Sequence, residues 1–406
     1  MKSMCKTAPI DDQGFVRPDY SGGGLVNLMA TLAAAGGAAM PYPRLDAGYG
    51  LDAGALAATQ RLVLIVIDGL GDDLVSAESA PNLAAHRVGR LSSVFPSTTA
   101  SAVTTLLTGL APAQHGLTGW HMWFAEIGET LAVLPLVPRG PRRAEWNRQS
   151  LPARLFAHQG LSERLRRRHV TLSPQTIVDS PFNVFHTGGS LRLGYRTADE
   201  FFPGLAAAIA ADAPGPSFFH AYLPDLDELM HEFGPSDRRC RALLARIDAA
   251  FGEFLRGFAG RDTTFIVTAD HGFIEAPEAH LIDLDQHPKL AAMLARPLCG
   301  ERRVAFAYVR RRQRGAFEAY VGDHFAAACR LIRSDDFIAE GWFGPTAPPT
   351  PAHPRLLSRA GDYVLLMRDD WTIKDWLPGE KHYPQRGVHA GASAAEMSVP
   401  LIVART

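Results

Sequence analysis

The chain has 406 residues, of which 47% are hydrophobic, and its formal net charge at pH 7 is −1. This length and composition allow one large buried core or two modest cores. The near-neutral charge, with no long basic block interleaved with aromatic residues, argues against a nucleic acid duplex as a partner.

The N-terminal residues contain no apolar run of the length that a signal peptide needs. No segment of the chain approaches the ~18 consecutive apolar residues of a transmembrane helix, so we expect no membrane partner. The cysteines form no CxxC pair, which is typical of reduced, scattered thiols; they are Cys5, Cys240, Cys299 and Cys329. We therefore predict a cytoplasmic protein.

Alternating apolar runs and helical patterns predict the fold. A helical pattern over residues 25–38 precedes a continuous apolar run over 61–67, which is typical of a strand buried on both faces. A long helical pattern follows over 239–258. Further buried strands are predicted at 217–223, 263–268, 304–309, 363–367 and 399–403. This alternation favours an α/β fold, a three-layer α/β/α sandwich around a central, mostly parallel sheet.

Two regions interrupt the alternation. Residues 120–200 are rich in Trp, Pro, Arg and His, and residues 275–385 contain Pro-rich linkers around their own strand and helix pieces. We interpret the first region as a substrate-facing insertion and the second as a small cap. Both would belong to one catalytic domain that spans residues 1–406.

The stretch from Val94 to Gly109 predicts a loop that turns into a short helix. Ser97 or Thr98 can cap the first turn, and Gly109 can end the helix. The N-terminus of such a helix favours an anion, because free backbone N–H groups and the helix dipole point toward it. This stretch alone does not distinguish Thr98 from Thr99, and a threonine-capped helix without catalytic function is its simpler interpretation.

Some carboxylates and imidazoles lie next to glycines near apolar strands. One carboxylate and one imidazole lie four residues apart on a predicted helix. These residue types are ligands for divalent cations. Each position alone is also compatible with turn chemistry or a buried structural histidine, but together they predict a metal centre. The residues are Asp68, Asp227, His231, Asp270, His271 and His389.

Taken as an ordered set, five motifs resemble those of the alkaline phosphatase superfamily, and within it the bacterial type I phosphodiesterase/nucleotide pyrophosphatase family. The resemblance covers residues 61–275 and 386–403. The motifs are Ile-Val-Ile-Asp-Gly (65–69), Phe-Pro-Ser-Thr-Thr (95–99) with Thr-Gly (108–109), Asp-x-x-x-His-x-x-Gly-Pro (227–235), Thr-Ala-Asp-His-Gly (268–272) and Gly-Val-His-Ala-Gly (387–391).

The resemblance implies a nucleophile and two divalent metal ions. The family's interval between the nucleophile and the closing Thr-Gly selects Thr99 over Thr98. Asp225 competes with Asp227 as a ligand, and the four-residue step to His231 favours Asp227. Zinc is the first expectation for both ions and manganese the second. The implied ligands are Asp68, Thr99, Asp270 and His271 for one ion, and Asp227, His231 and His389 for the other.

The chain departs from the family pattern at three places. Met230 replaces a glycine that commonly precedes the histidine, and Ala390 stands where some members have a second glycine. Nucleotide pyrophosphatases also carry an asparagine that contacts the phosphoryl group shortly after a His-Gly, which is 115–116 here. This chain has Gly-Trp-His at 119–121 instead. The candidate substrate-binding residues are Trp120, His121 and Asn183.

These features predict hydrolysis of phosphodiester or nucleotide pyrophosphate bonds in a small-molecule phosphate ester. Thr99 would attack phosphorus and form a phosphothreonine that water then hydrolyses. Two alternatives within the superfamily are a phosphonoacetate-type hydrolase and a phosphomonoesterase. A third alternative is a non-catalytic relative that binds a ligand. A sulfatase is disfavoured, because that group needs a Cys or Ser nucleophile.

Overall fold

The computed structural model describes residues 10–140, 146–380 and 382–406, so that Cys5 lies outside it. Two large sheets organise these residues. The strands are β1 (Arg61–Ile67), β2 (Arg87–Ser92), β3 (His121–Phe124), β4 (Glu129–Ala132), β5 (Val137–Pro138), β6 (Arg168–Pro174), β7 (Leu191–Tyr195), β8 (Ser217–Leu223), β9 (Thr263–Thr268), β10 (Ile274–Glu275), β11 (Leu281–Asp283), β12 (Cys299–Gly300), β13 (Val304–Ala307), β14 (Cys329–Arg333), β15 (Tyr363–Met367), β16 (Thr372–Lys374), β17 (Gly387–Val388) and β18 (Ser398–Arg405).

The α-helices are mostly short and lie between the strands. They are α1 (Leu25–Ala35), α2 (Ala53–Ala58), α3 (Pro81–Ala85), α4 (Thr99–Thr108), α5 (Pro112–His115), α6 (Leu151–Leu155), α7 (Pro181–Thr187), α8 (Ala198–Ala210), α9 (Asp225–Phe233), α10 (Arg238–Arg256), α11 (Pro288–Met293), α12 (Arg314–Phe325), α13 (Ser334–Ala339), α14 (Leu356–Ala360) and α15 (Ala394–Met397).

The central sheet has the strand order β2-β18-β9-β1-β8-β6-β7. Strands β9, β1, β8, β6 and β7 run parallel, and β18 pairs antiparallel with both β2 and β9. β1 lies in the middle because its apolar side chains are buried on both faces. Helices α1, α2 and α4 pack together as one group, and α3, α8 and α9 pack on α10 as another. The α/β fold predicted from the alternation is therefore confirmed.

A second, antiparallel sheet takes strands from both interrupting regions. Its order is β14-β15-β13-β12-β3-β4-β5, and Gly300 of β12 pairs with His121 of β3. The backbones approach closely there, since a Cβ placed on Gly119 would lie 2.8 Å from the Cα of Gly300. By contrast, β6 and β7 belong to the central sheet. The boundaries of a separate insertion at 120–200 and a separate cap at 275–385 stay predictions.

A cluster of buried histidines lies between α6 and α7. The Nε2 atoms of His158 and His186 are 2.9 Å apart, and Nδ1 of His186 donates to the carbonyl oxygen of Phe182 at 2.8 Å. Because Nδ1 of His186 is a donor, its Nε2 accepts from Nε2 of His158, and the His186 ring is neutral. Burial lowers the pKa of His158 and lowers that of His186 to about 4.

We expect this cluster to make the protein sensitive to acid. In the unfolded chain these histidines take up a proton near pH 6.5, whereas the folded protein holds them neutral, so stability is lost as the pH falls from about 6.5 toward 4. Between pH 7.5 and 5 each buried histidine should cost about 2 kcal/mol in the free energy of unfolding. Denaturant titrations of the wild type and His186→Leu at both pH values would measure the difference.

The His186→Leu variant should lose less stability over this interval than the wild type. His324→Gln provides the control, because this histidine is exposed on α12. An identical pH dependence in the wild type and His186→Leu would exclude the cluster as the cause.

Candidate active site

The loop before α4 presents two adjacent threonines. Thr98 is the N-cap residue, but its hydroxyl donates to Oε1 of Glu301 at 2.7 Å instead of accepting from the first turn. The hydroxyl of Ser97 donates to the carbonyl oxygen of Gly391, so the predicted side-chain cap is wrong for both residues. Gly109 ends the helix at φ 72°, as predicted.

Thr99 is the first residue of α4, and its Oγ1 lies 3.2 Å from Nε2 of His271. Thr99 therefore lies at the N-terminus of α4, where a helix offers free backbone N–H groups to an anion.

Two neighbouring parallel strands deliver carboxylates to the same edge of the central sheet. Asp68 follows β1 and Asp270 follows β9, and the carboxyl ends of parallel strands meet at one edge. Nε2 of His271 lies 3.3 Å from Oδ1 of Asp68 and 3.4 Å from Oδ2 of Asp270. The hydroxyl of Tyr222 donates to Oδ2 of Asp68.

Helix α9 adds a third carboxylate and a second imidazole. Asp227 and His231 lie on one face of this helix, as their four-residue spacing predicts. Oδ1 of Asp227 is 3.6 Å from Nε2 of His231, 3.7 Å from Nε2 of His389 and 3.9 Å from Nε2 of His271. All six carboxylates and imidazoles predicted as ligands therefore converge beside Thr99.

The three imidazoles are oriented in the same way. Each directs Nδ1 at a backbone carbonyl oxygen, and an Nδ1–H that donates there leaves the lone pair on Nε2. The Nε2 atoms of His231 and His389 are only 3.1 Å apart, so two lone pairs face each other. The Nδ1 contacts are His231 to Gly387 at 2.9 Å, His271 to Gly272 at 3.2 Å and His389 to Ser97 at 3.2 Å.

The cluster contains buried oxygens without a hydrogen-bond donor. They are Oδ1 of Asp68, Oδ1 of Asp227 and Oδ2 of Asp270. Burial and the neighbouring carboxylates Asp270 and Asp227 raise the pKa of Asp68 well above its usual range, and burial raises that of Asp227 to about 7. Crowded carboxylates and facing lone pairs are stabilised by bound cations. This donor set therefore fits divalent metal ions.

The ligand atoms form two groups, and within each group all the ligand atoms lie within 4.8 Å of one another. One group is Asp68, Asp270 and His271, and the other is Asp227, His271 and His389. His271 belongs to both groups, so the two candidate positions adjoin. Thr99 contacts His271 and so adjoins the first group, and His231 contacts His389 and so adjoins the second group.

Two cavities border this cluster and share part of their lining. A polar cavity of about 380 Å³ includes Trp120 and His121 in its lining, and a larger, more apolar cleft of about 820 Å³ includes Trp120 and Asn183. Burial lowers the pKa of His121 well below its usual range. Nδ2 of Asn183 donates to the carbonyl oxygen of Ile177 at 2.8 Å. The three candidate substrate-binding residues thus line the cavities.

The departures from the family pattern have physical counterparts. Gly119 lies against the backbone of Gly300, so no larger side chain fits at this position. Ala390 adopts a φ of 89°, in the left-handed region that glycine prefers. Met230 is fully buried, and its Cε would lie 2.9 Å from a Cβ on Gly69. The bulkier methionine thus fills the space behind the loop that follows β1.

Sequence reasoning missed Glu301, which lines the polar cavity beside Thr98. Its Oε1 accepts from Oγ1 of Thr98 at 2.7 Å and from the backbone N–H of Trp120 at 2.8 Å, and burial raises its pKa to about 7. Glu301 therefore ties the nucleophile loop to the second sheet. The surrounding sequence Gly-Glu-Arg-Arg is typical of a charged turn and does not predict this contact.

Sequence reasoning also missed a buried ion pair behind His389. Nε of Arg303 contacts Oε1 of Glu396 at 3.0 Å, and neither side chain is more than 1% exposed. The same Glu396 oxygen accepts from the backbone N–H of Gly391 at 2.8 Å. The pair therefore fixes the loop that carries His389 against the second sheet.

Comparison with known proteins agrees with this geometry. The sequence profile described as type I phosphodiesterase / nucleotide pyrophosphatase matches residues 62–391. A protein of Schizosaccharomyces pombe, described as an uncharacterized pyrophosphatase/phosphodiesterase, is 26% identical over 259 residues, which are 59% of this chain and 51% of the relative. The chain thus spans about half the length of this curated relative.

The fold is similar to that of mammalian ectonucleotide pyrophosphatase / phosphodiesterase 5. The murine protein, solved as an inactive variant in complex with AMP, has a TM-score of 0.62 and 17% identity over 84% of this chain and 87% of that chain. The human protein has a TM-score of 0.62 and 18% identity over 85% and 87% of the two chains. At this level of identity the likeness concerns the fold.

The fold and the metal-compatible donor set agree with the family that the sequence profile identifies. The profile match covers most of the chain. The chain therefore belongs to the type I phosphodiesterase / nucleotide pyrophosphatase family. Among the residues that the structure describes, no helix is both long and apolar enough to cross a membrane.

Proposed function

We propose that this protein hydrolyses phosphodiester or nucleotide pyrophosphate bonds of small molecules, with Thr99 as the nucleophile. The observation that carries this proposal is the position of the Thr99 hydroxyl, at the first residue of α4 and 3.2 Å from Nε2 of His271 within the ligand cluster. The relative solved with AMP is an inactive threonine-to-alanine variant of that protein, which supports a threonine in this role.

Two divalent cations would complete the site. Asp68, Thr99, Asp270 and His271 would hold one of them, and zinc is favoured over manganese because the donors combine imidazoles with carboxylates. When bound, the ions would lower the pKa of the threonine hydroxyl and neutralise charge on the phosphoryl oxygens. The ligands proposed for the other ion are Asp227, His231 and His389.

Oγ1 of Thr99 would attack phosphorus and form a Thr–O–P bond, while the P–O bond to the leaving group breaks. Backbone N–H groups at the start of α4 would donate to the phosphoryl oxygens. A water molecule would then cleave the phosphothreonine, which releases the second product and restores the hydroxyl. The tight packing of Thr98 and Glu301 beside Thr99 would hold the nucleophile loop in place.

The two cavities support a diester over a monoester. Thr99, Asp227 and His231 line both the polar cavity and the apolar cleft. A phosphoryl group held at Thr99 would therefore have space for one substituent in each cavity, whereas a monoester would leave one cavity to water. A phosphonoacetate-type or phosphomonoester hydrolase is the alternative within the same superfamily.

Turnover of three substrates tests this proposal. We expect the zinc- or manganese-loaded protein to hydrolyse an aryl phosphodiester faster than an aryl phosphomonoester or phosphonoacetate. Faster turnover of the monoester would contradict the diester preference. A protein that neither retains nor responds to divalent metal would instead fit a non-catalytic, ligand-binding relative. We also propose a cytoplasmic location, because the described cysteines are free and buried.

A further inference from the structure

The polar cavity beside Thr99 has a cationic wall. Arg139 and Lys374 in this wall are paired with carboxylates. Nη2 of Arg139 lies 2.8 Å from Oδ1 of Asp375 and 3.2 Å from Oε2 of Glu380. Nζ of Lys374 lies 3.1 Å from Oε1 of Glu380. These four side chains therefore largely neutralise one another.

Arg302 lines the same cavity and differs from the other two cations. With the described residues, its side chain makes one hydrogen bond, from Nη2 to the carbonyl oxygen of Tyr383 at 2.7 Å. No carboxylate of the described chain lies within 4.0 Å of its guanidinium nitrogens. Its Cζ lies 5.5 Å from the centre of the Trp376 ring.

Arg302 is a half-buried guanidinium without a close ion pair, because Glu380 acts on it only from beyond 4.0 Å and pairs directly with Arg139 and Lys374. Taking a charge out of water is costly unless an opposite charge or a set of hydrogen bonds replaces the water. The neighbouring Glu301 does not fill this role, because its Oε1 already accepts from Thr98 and Trp120. The charge of Arg302 is thus available to a molecule in the cavity.

We propose that Arg302 binds a second anionic group of the substrate, a phosphate or a carboxylate next to the scissile phosphoryl group. This inference rests on the proposed function. The cavity that Arg302 lines also reaches Thr99 and His231, so one small molecule can contact both ends. A guanidinium matches either anion with two parallel hydrogen bonds, which makes arginine suited to this recognition.

The proposal narrows the substrate class. A diester whose only negative charge is on the scissile phosphoryl group would leave Arg302 unpaired. A pyrophosphate places a second phosphate next to the first, and phosphonoacetate places a carboxylate there. The substrates favoured by this cavity are therefore pyrophosphates, or phosphoesters and phosphonates with a neighbouring carboxylate, with the apolar cleft free for the other substituent.

The test compares Arg302→Gln with the wild type, both as full-length, metal-loaded protein. Bis(p-nitrophenyl) phosphate carries no second anion, whereas ATP and phosphonoacetate carry a phosphate and a carboxylate. We expect KM for ATP to rise about 10- to 100-fold, because the variant loses charge-assisted hydrogen bonds to the second anion. If the carboxylate is the ligand, KM for phosphonoacetate should rise instead. Turnover of bis(p-nitrophenyl) phosphate should stay within about twofold, since it does not use the guanidinium.

Two further variants sharpen the comparison. Arg302→Lys restores the charge and should recover part of the affinity for the second anion. Arg256→Gln removes an exposed arginine from α10, outside the linings of both cavities, and should leave the KM ratio between ATP and bis(p-nitrophenyl) phosphate unchanged. An equal loss on all substrates in Arg302→Gln, or no loss on any, would overturn the proposal.

A binding measurement separates this inference from the proposed function. Methylenebisphosphonate, which is not hydrolysed, can be titrated calorimetrically into both metal-loaded proteins. Weaker binding to Arg302→Gln supports the anion site, whether or not the protein is active. If the wild type hydrolyses neither bis(p-nitrophenyl) phosphate nor ATP nor phosphonoacetate, that result rejects the proposed hydrolysis and leaves the anion site standing. Equal binding to both proteins contradicts the anion site.

Discussion

Replacement of Thr99 by alanine is expected to lower kcat by at least about 10⁴-fold, as loss of a nucleophile does in other covalent hydrolases. The substitution removes the hydroxyl that lies 3.2 Å from Nε2 of His271. It leaves the carboxylate and imidazole ligands in place and keeps a helix-forming residue at the start of α4. Steady-state turnover of the aryl diester and metal content by elemental analysis would measure the two effects separately.

Thr98→Ala is the matched control, because the neighbouring hydroxyl bonds to Glu301 instead of reaching the ligand cluster. It should lose far less turnover than Thr99→Ala, since it removes a contact of the loop and not the attacking hydroxyl, and Thr99→Ser, which keeps a hydroxyl, should retain more than Thr99→Ala. Substantial residual activity in Thr99→Ala, or an equal loss in Thr98→Ala, would refute the assignment of the nucleophile.

Removal of divalent metal is expected to abolish turnover and to destabilise the fold. Without a cation, Asp68, Asp227 and Asp270 bring unpaired buried oxygens together, and the lone pairs of His231 and His389 face each other. Each site kept at 100 times its dissociation constant should add about 2.7 kcal/mol to the free energy of unfolding. Denaturant titrations before and after chelation would measure this difference, and added zinc or manganese should restore both properties.

A pair of aspartates in α9 provides a control for the metal prediction. Asp227→Asn removes a buried, unpaired carboxylate and should reduce the bound metal from two ions to one per chain. Asp225→Asn changes a carboxylate two residues away, outside both ligand groups, and should leave the metal content unchanged. If Asp225→Asn loses metal and Asp227→Asn does not, the ligand assignment is wrong.

The fold could be predicted from the sequence where local pattern and burial agree. The apolar run of β1 is short and rich in β-branched residues, which favours a strand covered on both faces over a buried helix. The strand ends then place Asp68 and Asp270 at one edge, and helical spacing pairs Asp227 with His231. The convergence of these residues follows from local signals together with the family resemblance.

The remaining contacts could not be predicted, because they join residues that are distant in the sequence. Tyr222 reaches Asp68 from the neighbouring strand, and its position in an apolar run marks it as a core residue. Glu301 and the Arg303–Glu396 pair depend on how the second sheet lies against the nucleophile loop. Even the hydroxyl of Thr98 is directed by this tertiary contact and not by the helix that it begins.

The second sheet has a consequence for how specificity could be exchanged between relatives. It joins β3–β5 to β12–β15 through the pairing of Gly300 with His121, and the backbone of Gly300 leaves no room for a side chain at Gly119. A chimera that imports only one of the two segments would meet a mismatched partner strand beside Trp120. We therefore expect a chimera to fold only if both segments are transplanted together, although strands of the central sheet separate them along the chain.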